Sequence, residues 1–162
     1  MKVVMDSDCL VKLTKSGAKE AILSAMEVHI PPLVKKETVD EGKERGYQDA
    51  FIIEENIDKK VLQVVKHDLK KSPAVSATKG EAEVISLYLG GNYDAIAGDD
   101  QRFLKRLEAA NIPYLTATAC LIYLYKNKKV ERSAAIEMLE SLKPFISRDE
   151  YAVAKLYMEE KS

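Results

Sequence analysis

The chain has no apolar run that approaches the roughly 20 residues a membrane-spanning helix needs, which disfavours a spanning segment. Cysteine is scarce. Cys9 and Cys120 lie far apart without metal-ligand spacing, so a disulfide framework and a zinc site give way to two buried thiols in a cytoplasmic protein. There are only two histidines, His29 in a strand-like run and His67 beside Asp68, and neither sits in a catalytic pattern. No glycine-rich loop follows a strand. Gly90-Gly91 follows a helical stretch, which argues against a phosphate-loop nucleotide-binding domain. Neither charge is in surplus: 25 basic and 26 acidic side chains give a net charge of −1. That balance argues against nucleic-acid binding by bulk electrostatics. It leaves room for a nuclease, because a carboxylate site pulls the count negative while its metal restores positive charge where a phosphate sits. The opening MKVVMDSDCL puts an acidic pair where a signal peptide would continue its apolar stretch, which disfavours export.

What is present is ordinary globular composition: 162 residues, 46% hydrophobic and 31% charged, with no repeat, linker or low-complexity segment. That size predicts a single domain over residues 1–162. Lysines group at Lys35-Lys36, Lys59-Lys60, Lys70-Lys71 and Lys126, Lys128, Lys129, and read in the first place as solvated surface.

Hydrophobic patterning predicts alternating short elements. Lys2–Met5 reads as a buried strand that stops at Asp6, followed by a helix over Cys9–Ser16 ended by Gly17. A second short helix covers residues 18–27, and Val28–Ile30 is a strand stopped by Pro31-Pro32. A helix starting at the prolines runs from Leu33 through Glu41 to Gly46, and another spans Tyr47–Asn56. Val61–Val65 is a strand. Thr78-Lys79-Gly80-Glu81 opens a helix that continues over Ala82–Leu89. Asp94–Gly98 is a strand ending at Asp99-Asp100, then come a helix over Gln101–Ala110 and a strand over Ile112–Leu115. The remainder, Ala117–Tyr125, Ser133–Leu142 and Asp149–Glu159, is helical. This alternation predicts an α/β fold, a parallel sheet covered on both faces. Leu121, Ile122, Leu124, Ile136, Leu139 and Leu156 of the C-terminal helices read as core in preference to interface.

In open parallel sheets ligands bind beyond the carboxyl ends of the strands. Two predicted strands end in carboxylates, Asp6 and Asp99-Asp100, so residues more than ninety positions apart can meet on one edge. Glu37 lies on the helix after the prolines and Glu81 opens the helix after Gly80. Each acid has a structural alternative. Asp6 and Asp99 or Asp100 suit helix N-caps, Glu81 suits the positive end of a helix dipole, and Glu37 can face solvent beside Lys35 and Lys36. Gathered in one cleft, the same acids repel one another unless a cation is present. Hard oxygen donors select Mg²⁺ or a similar divalent ion.

Met5-Asp6-Ser7-Asp8, Ile30-Pro31-Pro32-Leu33-Val34-Lys35-Lys36-Glu37, Lys79-Gly80-Glu81-Ala82-Glu83 and Ile96-Ala97-Gly98-Asp99-Asp100 occur in the order of PIN domains. The chain resembles a prokaryotic PIN branch related to VapC-type toxins, over nearly its whole length. The resemblance implies a three-layer α/β/α domain with a mainly parallel sheet and a helical C-terminal extension. It also implies an Mg²⁺- or Mn²⁺-dependent ribonuclease. By position it assigns Asp6, Glu37, Glu81 and Asp100 to the acidic quartet, with Asp99 an additional candidate metal ligand. Lys35, Lys36 and Arg102 become candidates for contact with RNA, single-stranded or structured. Toxin activity, an antitoxin partner, homodimerisation and a cytoplasmic location are further implications. Two departures stand out: Asp8 replaces a frequent Ser, Thr or Asn, and Gly98 replaces a frequent Thr. The rivals are a non-catalytic PIN-like module that binds RNA or protein, a response-regulator-like domain, and a metal-dependent DNA nuclease.

Overall fold

A computed structural model describes residues 1–67 and 78–160. Five strands form one sheet in the order β3-β2-β1-β4-β5: β1 (Lys2–Met5), β2 (Glu27–Ile30), β3 (Leu62–Val64), β4 (Ala95–Ala97) and β5 (Tyr114–Leu115). Every neighbouring pair is parallel. The strands are short: β1 stops at Asp6, β2 at Pro31 and β4 at Gly98-Asp99. Val3, Val4 and Met5 of β1 and Ile96 and Ala97 of β4 are buried whichever way they point, as strands covered on both faces must be.

The helices distribute by the right-handedness of parallel crossovers. α1 (Ser7–Lys15) and α2 (Lys19–Ala25) join β1 to β2, and α5 (Gln48–Asp58) leads into β3. These three cover one face, with α1 against α5, α2 against β2 and α5 against β3. α6 (Lys79–Gly90) packs on β1 and β4, and α7 (Gln101–Ala109) packs on β5, covering the other face. α8 (Ala117–Lys126) returns to pack on α1 and α2, α9 (Arg132–Leu142) follows against α8 and α1, and α10 (Arg148–Glu160) closes on both. The architecture is therefore the expected three-layer α/β/α sandwich.

Most predicted elements appear within a residue or two of their expected limits. Gly17, at φ +74°, stops α1, and Ala18 N–H reaches back to Leu13 O at 3.1 Å, a left-handed terminus that suits glycine. The second helix ends at Ala25 and not at residue 27, because Glu27 N–H pairs with Met1 O at 3.0 Å and begins β2. The helix expected from Leu33 to Gly46 is also not uniform. It starts as α3 (Pro32–Lys35), passes through a π-helical turn (Lys36–Asp40), and resumes as α4 (Glu41–Glu44). The fifth strand shrinks to Tyr114–Leu115. Among the C-terminal apolar residues, Leu121, Leu124 and Leu139 are buried and Ile122 and Ile136 half-buried, but Leu156 is 54% exposed. Leu156 therefore departs from the core reading: the helix turns Ala154 and Met158 inward instead. Both cysteines are buried thiols. Lys70, Lys71 and Asp68 lie outside the described residues. Among the described residues no helix is long and apolar enough to cross a membrane.

Candidate active site

The strand order determines where a pocket can open. The chain leaves β1 to build β2 and β3 on one side, then returns to place β4 on the other. Helices leaving β1 and β4 consequently diverge to opposite faces, and a crevice forms at their carboxyl ends. Met5 pairs with Ala97, and Asp6 N–H donates to Ala97 O at 2.8 Å, so Asp6 and Gly98 face each other at the crevice. A pocket of about 140 Å³ lies there, lined by Asp6, Ser7, Asp8, Glu37, Glu81 and Asp100 above an apolar floor of Val34, Val84 and Phe103. Four elements contribute to it: Asp6, Asp100 and Glu81 are positioned by hydrogen bonds at the starts of their own helices, and Glu37 by one from Ser7.

Asp6 is the N-cap of α1: its Oδ1 accepts from Cys9 N–H at 2.8 Å. Its carboxyl is pushed up from 3.8 to about 7, mainly by burial. The Cys9 N–H opposes that rise, the charge of Asp8 adds to it, and Asp99 lowers it through its N–H and raises it through its charge. Asp100 caps α7 in the same manner, its Oδ1 accepting from Phe103 N–H at 2.9 Å. Glu81 closes a capping box. Its Oε2 accepts from Thr78 N–H at 3.0 Å, while its own N–H donates to Thr78 Oγ1 at 3.3 Å. The Arg106 guanidinium donates to that same Oε2. Glu37 sits on the π-helical turn, and its Oε2 accepts from Ser7 Oγ. Its other oxygen stands where a Cβ on Gly80 would come within 3.2 Å, so Gly80 leaves it room.

A family model described as PIN domain matches residues 2–159. The chain belongs to the PIN-domain family. PIN domains are typically nucleases, which places this one at the level of phosphodiester hydrolases. No curated protein matches the chain.

The sequence-predicted acids of this PIN domain divide. Asp6, Glu37, Glu81 and Asp100 come together on the pocket, and Asp8 joins them at its edge. Asp99, the additional candidate metal ligand, does not line it. Its Oδ1 accepts from Ala117 N–H at 3.0 Å at the start of α8, and its Oδ2 takes Lys12 Nζ at 2.5 Å. Both oxygens thus serve the fold. The structural alternatives hold as well: Asp6 and Asp100 cap helices, and Glu81 is a first-turn partner of its helix, each with one carboxylate oxygen so used. Lys35 pairs with Asp40 at 3.3 Å, and Lys36 and Arg102 are exposed; none of the three lines the pocket. His29 is buried in β2 with its Nδ1 2.8 Å from Tyr93 Oη, and His67 follows β3 away from the acids.

Several residues escaped the sequence reading. Ser7 orients Glu37, Arg106 holds Glu81, and Lys12 holds Asp99. Glu83 accepts from Leu33 N–H at 3.1 Å, fastening the start of α3 to α6. Of these, only the Thr78-x-x-Glu81 box and the Asp8–Lys12 spacing of one helical turn were readable in advance.

Proposed function

We propose that this PIN domain is an Mg²⁺- or Mn²⁺-dependent endoribonuclease. The single observation that carries the reading is the convergence of Asp6, Glu37, Glu81 and Asp100, from four separate elements, on one pocket. The donor set passes a chemical test. It is all carboxylate and hydroxyl oxygen, the chemistry hard divalent ions take. Asp6 has its carboxyl raised to about 7, mainly by burial and to a lesser degree by the charge of Asp8, and a nearby cation would favour its ionised form. Among the described residues no three His, Cys, Asp or Glu side chains form a ready-made ligand set.

Asp6 and Asp100 would hold the ion directly, with Glu81 a direct or water-bridged ligand through Oε1. When bound, the ion supplies a lowered pKa for the attacking water and offsets charge developing on the phosphate. The protein's residues do the positioning. Cys9 N–H fixes Asp6, Phe103 N–H fixes Asp100, and Ser7 holds Glu37 with one oxygen still able to accept a proton from water. Lys36 and Arg102, both exposed, are candidates to meet the RNA backbone, with Lys35 beside them. Preference for RNA over DNA, a role as the toxin of a toxin–antitoxin pair in the VapC-like branch, an antitoxin partner, homodimerisation and a cytoplasmic location rest on the family resemblance.

The purified chain should cleave single-stranded RNA with Mg²⁺ or Mn²⁺ and stop with EDTA, and Asp6→Asn and Asp100→Asn should each lose at least about a hundredfold in rate, roughly 2.7 kcal/mol of barrier. Full cleavage by both variants, or cleavage in EDTA, would sink the proposal. A second reading has one observation in its favour: Glu81 Oε2 is already committed to Thr78 and Arg106. A non-catalytic module that binds RNA or protein would bind without metal and be indifferent to Asp6→Asn.

A further inference from the structure

The carboxylates around the pocket differ in how much positive charge the protein already gives them. Asp8, one of the two departures from the resemblance to PIN domains, lies one helical turn before Lys12, whose Nζ is 3.2 Å from Asp8 Oδ2. The same ammonium is 2.5 Å from Asp99 Oδ2. Asp99 has a side chain only 5% exposed, and its remaining oxygen takes Ala117 N–H. Lys12 itself is 19% exposed. A buried carboxylate with one oxygen on a backbone N–H and the other on an ammonium has its charge and its lone pairs satisfied. Burial works to lower the Lys12 pKa, but Asp99 and then Asp8 outweigh it and hold the amine protonated. By contrast, no Lys or Arg pairs with Asp6, Glu37 or Asp100 among the described residues.

We propose that Lys12 restricts this site to one divalent cation. Its ammonium, fixed between Asp8 and Asp99, stands as the built-in counter-charge on that flank of the pocket, and both acids belong to the protein's own ion pair instead of the ligand set. A second divalent ion on that flank would meet a like charge and would have to break the bonds that tie α1 to the start of α8. Asp8, on this view, is not an added metal ligand; it arrives with its own partner. The inference rests on the metal-dependent reading above and deepens it.

The test is Mn²⁺ titration of the full chain, counted by calorimetry and by the electron paramagnetic resonance signal of free Mn²⁺. Wild type should take up one ion. Asp8→Asn should keep that count, with affinity within about threefold, roughly 0.7 kcal/mol. Lys12→Met, which keeps the aliphatic stem and removes the charge, should raise the count from one to two, whereas Lys12→Arg should leave it at one. Two ions on wild type, loss of binding in Asp8→Asn, or an unchanged count in a folded Lys12→Met would each overturn the inference while leaving the nuclease reading in place. If Lys12→Met does not fold, the wild-type count and Asp8→Asn decide the matter. No Mn²⁺ on wild type would remove the metal-dependent reading itself, and this inference with it.

Discussion

A Cβ built on Gly98 would stand 2.9 Å from Asp6 Oδ2 and 3.2 Å from the Phe103 ring. Asp6 cannot simply swing aside, because its Oδ1 is tied to Cys9 N–H and the residue is only 9% exposed. Glycine at this position is therefore a packing consequence of where Asp6 lies in this chain. Gly98→Ala should displace the Asp6 carboxylate and lower Mn²⁺ affinity by about tenfold, at an overpacking cost of about 1–3 kcal/mol. Calorimetry and thermal melts read the two effects separately, and wild-type affinity in the folded variant would refute the steric account. At this scale the sequence was only partly legible. Asp6 and Asp100 could be placed because strands end and helices begin at them. Read from the residues alone, Asp99 and Asp100 both suit an N-cap; only the resemblance put Asp100 in the quartet, with Asp99 as an additional candidate. The structure separates them because successive residues in extended backbone point to opposite sides, sending Asp100 to the pocket and Asp99 to Lys12 and α8. Arg106 and Lys12 reach their acids across 25 and 87 residues, and sequence spacing carries no information about such pairings.

Glu37 is presented by an irregular element. Within Lys36–Asp40 the bonding shifts to i→i+5, with Glu41 N–H on Lys36 O. The turn therefore holds one residue more than an α-helical turn, a feature common at functional sites. Thr38 and Val39 remain buried, and Thr38 Oγ1 bonds Val34 O at 2.7 Å. Deleting Lys36 should convert the turn to regular α-helix and keep that buried register. Glu37 would then rotate off the pocket. The expected result is a folded protein with near-wild-type circular dichroism and cleavage as weak as that of Glu37→Gln. Undiminished cleavage after the deletion would show that the π-turn has no part in presenting Glu37. Nothing in Leu33 to Gly46 foretold the irregularity, because an i→i+5 turn has the same composition and nearly the same apolar spacing as its α-helical neighbour. The ordinary elements were legible for the opposite reason: their limits are marked by Gly17, Pro31, Gly90 and the acids themselves.

For the molecule as a whole, the order β3-β2-β1-β4-β5 concentrates the acids at one switch point, and folding must bury the Asp6 carboxyl whether or not a cation is available. Its folded pKa of about 7 lies above the ordinary 3.8, so the folded state keeps a proton that the unfolded chain has already lost. By linkage, the stability this group contributes is fully present below about pH 4 and is lost as pH rises to about 7. His29 acts in the other direction. Burial and then the charge of Lys2 lower its pKa below 6.5, against a smaller raising effect of Glu27, so its contribution is present above 6.5 and is lost as pH falls. Between pH 4 and 7 the cation-free protein sums these opposed slopes, and Asp6→Asn removes only the first. Melts in EDTA should therefore find Asp6→Asn gaining on wild type as pH rises toward 7, by a few kcal/mol at most. On the proposed metal-dependent reading a divalent ion would take the place of the Asp6 proton, so Mn²⁺ at about a hundred times its dissociation constant should add roughly 2.7 kcal/mol to wild type at pH 8 and little to Asp6→Asn. Equal Mn²⁺ shifts in the two proteins would mean that the ion is held elsewhere, and that the charge buried at the switch point serves the fold alone.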